Sequence, residues 1–475
     1  MYPLDSLLDL VRASRAAFLR LDAAALGQAV ARLERAVTVT GGTVQARVEL
    51  ALARALASLL RGEPAEADLG TLASGAAGAG MASAVVEIRA VRALFAIEAG
   101  DHAAGLALAR RASLMARTEG IPGAEMLANL ALARARRYSR QTHLALRIVE
   151  ALDAVAPPEW RAWLDWERAL AGGHLAGGTA WPASGLQALL AAAQAGDRAA
   201  FLRHADAVRA ATVPRPLRRE VAILVAAIDP REPLDEPGEG GVAETAARAE
   251  LLAWRNGTAA LPPAPLHGLA VQPGAAYVVL QPTGESARCL QAGAALLAGP
   301  DAVRLRQSRL THGRVETVLA ILALAGPGGL DEATCFARAY GFNYVPALHR
   351  GVFDVLLHRV RGAIDGVATI VRTPGRLALV TTRPLLIPDP RTSRSTTDRV
   401  LRLLAEQGRA TAKEAAARLG VSLRTVQGAL SELAASQACV VERDGRAVTY
   451  AIEDSIFSEP TQRLSRMRQE RVAGA

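Results

Sequence analysis

The first 228 residues alternate apolar and polar positions with the rhythm of amphipathic helices. Leu7 to Leu21 and Ala24 to Val37 each carry an apolar stripe at helical spacing, and similar segments follow, separated by glycine-containing turns. At Asp229 the pattern gives way to Pro-Arg-Glu-Pro-Leu-Asp-Glu-Pro-Gly-Glu-Gly-Gly, a linker by composition. One helix, Val242 to Arg255, and a second proline-rich piece, Leu261 to Pro265, complete a linker region over 229–268. Between 269 and 384 the period shortens. Ala276 to Leu280, Ala287 to Leu297 and Ala302 to Arg306 read as strands, followed by helices over Val315 to Ala325, Asp331 to Tyr340 and Pro346 to Ile364. Val367 to Val371 and Leu377 to Val380, either side of Thr373-Pro-Gly-Arg376, read as strand, turn, strand. Residues 385–396 are a proline and polar linker, 397–457 a last folded module, and 458–475 a basic tail.

Within 1–228, Ala99-Gly-Asp-His-Ala-Ala104 and Ala195-Gly-Asp-Arg-Ala-Ala200 each follow one apolar helix and open another. Helices Ala53 to Arg61, Arg92 to Ala99 and Ala131 to Arg140 lie roughly 40 residues apart, within the range of helix-pair repeats. In rhythm, though not in full consensus, the region resembles a degenerate tetratricopeptide-type α-solenoid. That resemblance implies a concave groove for a protein or small-molecule effector. A packing domain without a ligand is the competing reading. Trp160, Trp163 and Trp166, at steps of three, are predicted to serve core packing rather than a ligand platform.

The most informative stretch runs from Thr411 to Leu430. Thr411 and Glu414 form a capping box that opens a helix, Gly420 ends it, and Ser422 caps the next. In that second helix Val426, Leu430 and Leu433 share one face, leaving Arg424, Thr425, Gln427 and Ser431 on the other. Two apolar runs separated by Arg443-Asp-Gly-Arg446 follow and predict a hairpin, while Val400, Leu401, Leu403 and Leu404 supply a preceding helix. With a small residue at Ala416, a turn at Gly420 and an apolar anchor at Val426, the segment resembles the bacterial helix-turn-helix family. The whole module is similar to winged-helix regulators.

Residues 269–384 resemble the output domain of bacterial response regulators, most closely at Phe353-Asp-Val-Leu-Leu-His-Arg-Val-Arg361. The resemblance implies a second winged helix, with Asp354, His358, Arg359 and Arg361 facing DNA or phosphate and Arg376 at its wing. Gly351 and Val352 stand where that family offers polar base-reading side chains, which sets beside DNA reading the alternative of a phosphate clamp or a dimer surface.

Charge agrees with this placement. The formal net charge is +9; residues 301–475 hold 25 Arg+Lys against 17 Asp+Glu, or +8, leaving +1 for residues 1–300. A basic carboxyl-terminal half beside a winged helix favours a polyanionic partner. Lys413 is the sole lysine and stands outside any Gly-Lys-Ser/Thr context, which excludes a P-loop. No HExxH, GxSxG or DxDxDG pattern occurs, and Cys289, Cys335 and Cys439 are too dispersed for a zinc site or disulfide framework. No apolar run reaches the roughly 18 residues of a membrane span, and no secretory signal opens the chain.

The expectation is therefore a mainly α protein: an N-terminal α-solenoid of degenerate helix pairs followed by two α+β winged-helix domains. Its expected role is non-enzymatic regulation of transcription in the cytoplasm, at the nucleoid, with no cofactor and no metal. Its expected partner is double-stranded DNA, bound as a homodimer through Ser422, Arg424, Thr425, Gln427 and Ser431 at base edges or nearby phosphates, with Arg443 and Arg446 gripping the backbone or minor groove from the wing. A protein-binding adaptor and a DNA-organising or replication-type protein are the alternatives.

Overall fold

The computed structural model describes residues 4–39, 42–65, 67–173, 182–210, 214–229, 231–232, 234, 242–259, 261–266, 276–290, 294–306, 313–392, 394–436, 438–444 and 447–452. The protein is mainly helical, with small sheets. Helices α1 (Leu4–Leu19), α2 (Ala23–Val39), α3 (Val44–Arg61) and α4 (Leu69–Gly78) lead into α5 (Ala82–Glu98), α6 (His102–Thr118), α7 (Pro122–Tyr138) and α8 (Thr142–Asp153). Each packs on its chain neighbour, and α5 also packs on both α3 and α7. The turns explain why. Gly80, Gly100, Gly120 and Arg140 all adopt left-handed backbone, at steps of 20 residues, so each helix reverses after the same length. At the repeated Ala-Gly-Asp turns, Asp101 caps the amide of Ala104 at 3.0 Å and Asp197 that of Ala200 at 2.9 Å.

The chain then folds back. Helices α9 (Arg161–Leu170), α10 (Ala183–Ala195), α11 (Arg198–Ala210) and α12 (Arg215–Ile228) follow, with α9 against α7 and α12 against α3. Trp163 donates its indole N–H to the Phe18 carbonyl at 3.1 Å, which ties α9 to α1. The tryptophans are core, as anticipated: Trp160, Trp163 and Trp166 are all buried.

Between these helices lies a buried ionic cluster. Arg134 reaches Glu167 at 2.7 Å and Glu98 at 3.1 Å; Arg137 reaches Glu167 at 2.6 Å and Glu220 at 2.7 Å. Arg219 pairs with Glu98 at 2.6 Å, and Trp166 donates to Glu220 at 2.7 Å.

The region 229–268, read from composition as a linker, is partly core. Leu251 and Trp254 of α13 (Val242–Arg255) and the 3-10 turn Ala264–Leu266 are buried. A four-stranded sheet comes next, ordered β2 (Ser286–Leu290), β1 (Ala276–Leu280), β7 (Leu385–Pro388), β3 (Val303–Arg304). A short helix, α14 (Ala294–Leu297), replaces the end of the strand expected over Ala287 to Leu297. The segment 385–396, read from composition as a linker, opens with a strand. Its first four residues are a buried strand, antiparallel to β1 and parallel to β3, because Leu385, Leu386 and Ile387 are apolar toward both faces. Asp389 fixes the exit by pairing with Arg288 at 3.0 Å and Arg391 at 2.9 Å.

Inside that sheet connection sit α15 (Arg314–Leu324), β4 (Leu330–Asp331), α16 (Glu332–Tyr340), α17 (Pro346–Ala363) and the hairpin β5 (Ala368–Thr373) and β6 (Arg376–Thr381). They share a core of Val318, Leu322, Phe336, Phe353, Leu357 and Leu379. The last unit comprises α18 (Thr396–Gln407), β8 (Arg409–Thr411), α19 (Ala412–Leu419), α20 (Leu423–Ala435), β9 (Val440–Asp444) and β10 (Ala447–Ala451), the strands ordered β8-β10-β9. Its core continues into that of the N-terminal helices. Helix α18 packs on α8, and the Arg147 side chain donates to the Ala405 carbonyl.

Candidate nucleic-acid interface

Helix α20 owes its orientation to two caps and a glycine. The Thr411 hydroxyl accepts from the Glu414 amide at 3.2 Å while Glu414 accepts from the Thr411 amide at 2.8 Å, a reciprocal box that starts α19. Gly420, at φ 64°, turns the chain with no Cβ penalty. Ser422 then accepts from the Thr425 amide at 3.2 Å and starts α20. Val426, Ala429, Leu430 and Leu433 are buried against the module's other helices, and Arg399 of α18 locks the α19 end by donating to the Leu419 carbonyl at 2.6 Å.

The opposite face is exposed along its length: Ser422, Arg424, Thr425, Gln427 and Ser431 are all open to solvent. They are not equivalent. Ser422 and Thr425 hydroxyls bond each other at 2.7 Å, so both serve the cap first. Arg424, Gln427 and Ser431 make no side-chain hydrogen bond or ion pair among the described residues, and their donors are available. Gly428 lies exposed among them, and a Cβ there would meet nothing within 4 Å. A mid-helix glycine costs about 1 kcal/mol relative to alanine. On the hairpin Arg443 is exposed, whereas Arg446 lies outside the described residues.

The 269–384 module is arranged differently. His358, Arg359 and Arg361 are exposed on α17. Two other predicted contacts are already engaged. Asp354 accepts from Arg372 at 3.4 Å, and Arg372 also holds Glu332 at 2.7 Å. Arg376 donates to the Gly328 and Gly329 carbonyls, each at 3.0 Å, and so braces the turn before β4 instead of projecting from the hairpin. His349 accepts from the Val345 amide at 2.9 Å and stacks on Phe336, which makes it a cap and packing residue.

What the sequence reading missed is the apolar character of the exposed α17 face. Val345, Leu348, Val352 and Val355 are 44%, 73%, 55% and 54% exposed, and their steps of three and four align them in one stripe. Phe353, Leu356, Leu357 and Val360 are buried on the other side, so α17 carries apolar residues on two faces, with Arg350, Asp354, His358 and Arg361 on a polar sector between them.

Among the described residues no group of three or more His, Cys, Asp and Glu side chains is placed to hold a metal ion. Burial pushes the Cys289 and Cys335 thiols up to about 12, so neither is a ready nucleophile. Among the same residues no helix is long and apolar enough to cross a membrane. No protein-family model matches the chain, and neither a curated protein nor a solved structure matches it.

Proposed function

We propose that this chain is a DNA-binding transcriptional regulator of the cytoplasm and nucleoid. In this reading 397–457 is a winged helix-turn-helix with α20 as its recognition helix, 269–384 is a winged helix of the response-regulator output type, and the N-terminal helices are a degenerate solenoid that receives an effector. One observation carries the reading: α20 turns an open polar face outward, with Arg424, Gln427 and Ser431 uncommitted and Arg443 on the adjoining hairpin. Arginine's planar fork suits guanine edges and phosphate alike.

The roles separate by experiment. Arg424→Ala is expected to relax sequence preference, since a bidentate arginine–guanine contact is worth about 1–3 kcal/mol of discrimination. Arg443→Ala is expected to weaken all duplexes alike and to flatten the dependence of log affinity on log salt by about one unit. Equal binding of matched and scrambled duplexes by wild type and both variants, followed by fluorescence anisotropy, would refute these roles.

A protein-binding role is favoured for the 269–384 module alone. Its α17 face offers the apolar stripe Val345, Leu348, Val352 and Val355 where a base-reading helix needs polar groups. We assign that stripe to a second copy of this chain, since regulators that read two-fold operators are commonly isologous dimers. His358, Arg359 and Arg361, one to two turns further along α17, would then flank the dimer seam as phosphate contacts.

A further inference from the structure

A cavity of about 520 Å³ opens between the C-terminal ends of α3 and α5 and the N-terminal turns of α12. That volume lies within the roughly 300–1,000 Å³ usual for small-molecule sites. Leu59, Pro64, Phe95 and Pro216 give it apolar walls. Its charged groups are Glu63, Glu98, Glu244, Arg215 and Arg219, and their bonding decides what can enter.

The three carboxylates are already engaged. Glu63 pairs with Arg61 at 2.6 Å, Glu98 with Arg219 at 2.6 Å and Arg134 at 3.1 Å, and Glu244 with Arg248 at 3.1 Å. The two arginines differ. Arg219 spends its terminal nitrogens on Glu98 at 2.6 Å and the Tyr138 hydroxyl at 3.2 Å and adds charge to the wall, while Arg215 keeps donors in reserve. Arg215 makes only a 3.9 Å ion pair with Glu244. Gly62, at φ 68°, lets its side chain lie across the end of α3, where an added Cβ would come within 3.0 Å of the Arg215 Cδ.

Helix electrostatics point the same way. The first turn of α12 carries Arg215 and Arg218 and no acidic residue; Arg219 and Glu220, which sits in the buried ionic cluster, follow in the second. Cations are disfavoured at the positive end of a helix dipole, so an anion there relieves both the dipole and the arginines.

We propose that this cavity binds a small organic anion with an apolar body, a carboxylate being the simplest case, with its charged end held by Arg215 in the field of Arg219. The site stands on its own geometry; only its role as the effector site rests on the regulator reading.

The test is isothermal titration of the full chain, without DNA, using octanoate, octan-1-ol and octylammonium. Octanoate is expected to bind saturably, one per chain, at least about tenfold more tightly than the alcohol, the worth of one charge-assisted hydrogen bond; the ammonium is expected not to bind. Arg215→Ala should weaken octanoate by about the same factor and leave the alcohol unchanged. Ala65→Trp, which fills the mouth, should abolish binding of both while the thermal midpoint is kept; Ala99→Phe does the same from the α5 side. Equal affinity for octanoate and octanol, octanoate binding that survives both filling variants, or no saturable binding by the carboxylate would overturn the proposal. Because no duplex is present, these outcomes are independent of whether the chain binds DNA.

Discussion

Arg134, Arg137 and Arg219 carry three positive charges into the helical interior, and Glu98, Glu167 and Glu220 carry three negative ones. The sum is neutral, which is the condition under which buried charge is tolerated. Burial alone would raise the Glu220 carboxyl, but Arg137 and Arg134 outweigh it and, with the Tyr138 and Trp166 donors, hold it down at about 2. Burial would likewise lower Arg137, yet Glu167 and Glu220 prevail and raise it. Removing one partner leaves an uncompensated buried charge, so Glu220→Gln is expected to cost about 3–5 kcal/mol in urea unfolding at pH 7. The sign with pH follows from a depressed folded pKa against an unfolded value of about 4.3. Stabilisation by Glu220 is complete above that value and is lost as pH falls toward 2. Wild type and variant should therefore converge between about pH 4.5 and pH 2. Equal midpoints at pH 7 would show that the cluster does not hold these helices together.

At the scale of elements, α17 and α20 occupy similar places in their modules but present opposite surfaces. On α20 the open positions are Arg424, Gln427 and Ser431; on α17 they include Leu348, Val352 and Val355. A charged residue at the centre of the apolar stripe should split a dimer without touching the core beneath. Leu348→Glu is accordingly expected to turn a dimer into a monomer in sedimentation velocity, with an unchanged circular dichroism spectrum. A wild type that sediments as a monomer at tens of micromolar would remove the basis for that assignment.

Local signals made most elements readable. The capping box at Thr411, the proline at the first position of α17 and the Ala-Gly-Asp turns each act within four or five residues, and each falls at the expected place. Strand β7 escaped because three apolar residues, Leu385, Leu386 and Ile387, between Pro384 and Pro388 look like a linker until β1 and β3 supply their partners. The spent donors escaped for the same reason. Nothing near Arg376 in sequence announces the Gly328 and Gly329 carbonyls. The cavity, too, is assembled from α3, α5, α12 and α13, whose contributions lie far apart along the chain.

For the whole molecule, the informative contact is α18 against α8. The C-terminal module is not tethered by a free linker: its core is continuous with that of the helices, and Arg147 holds the Ala405 carbonyl. Helix α8 in turn packs on α7, which carries Arg134 and Arg137 and so adjoins the cluster that Arg219 joins to the cavity. An anion in that cavity and a duplex on α20 would therefore act on one packed body. Presentation of the α20 polar face to DNA is tested by fluorescence anisotropy of a labelled duplex with the full chain, over salt from about 50 to 200 mM. Bound duplex is expected, with log affinity falling linearly with log salt as arginines displace phosphate counterions. No retained duplex at the lowest salt, at protein concentrations up to about 100 µM, the weak end of non-specific binding, would contradict it.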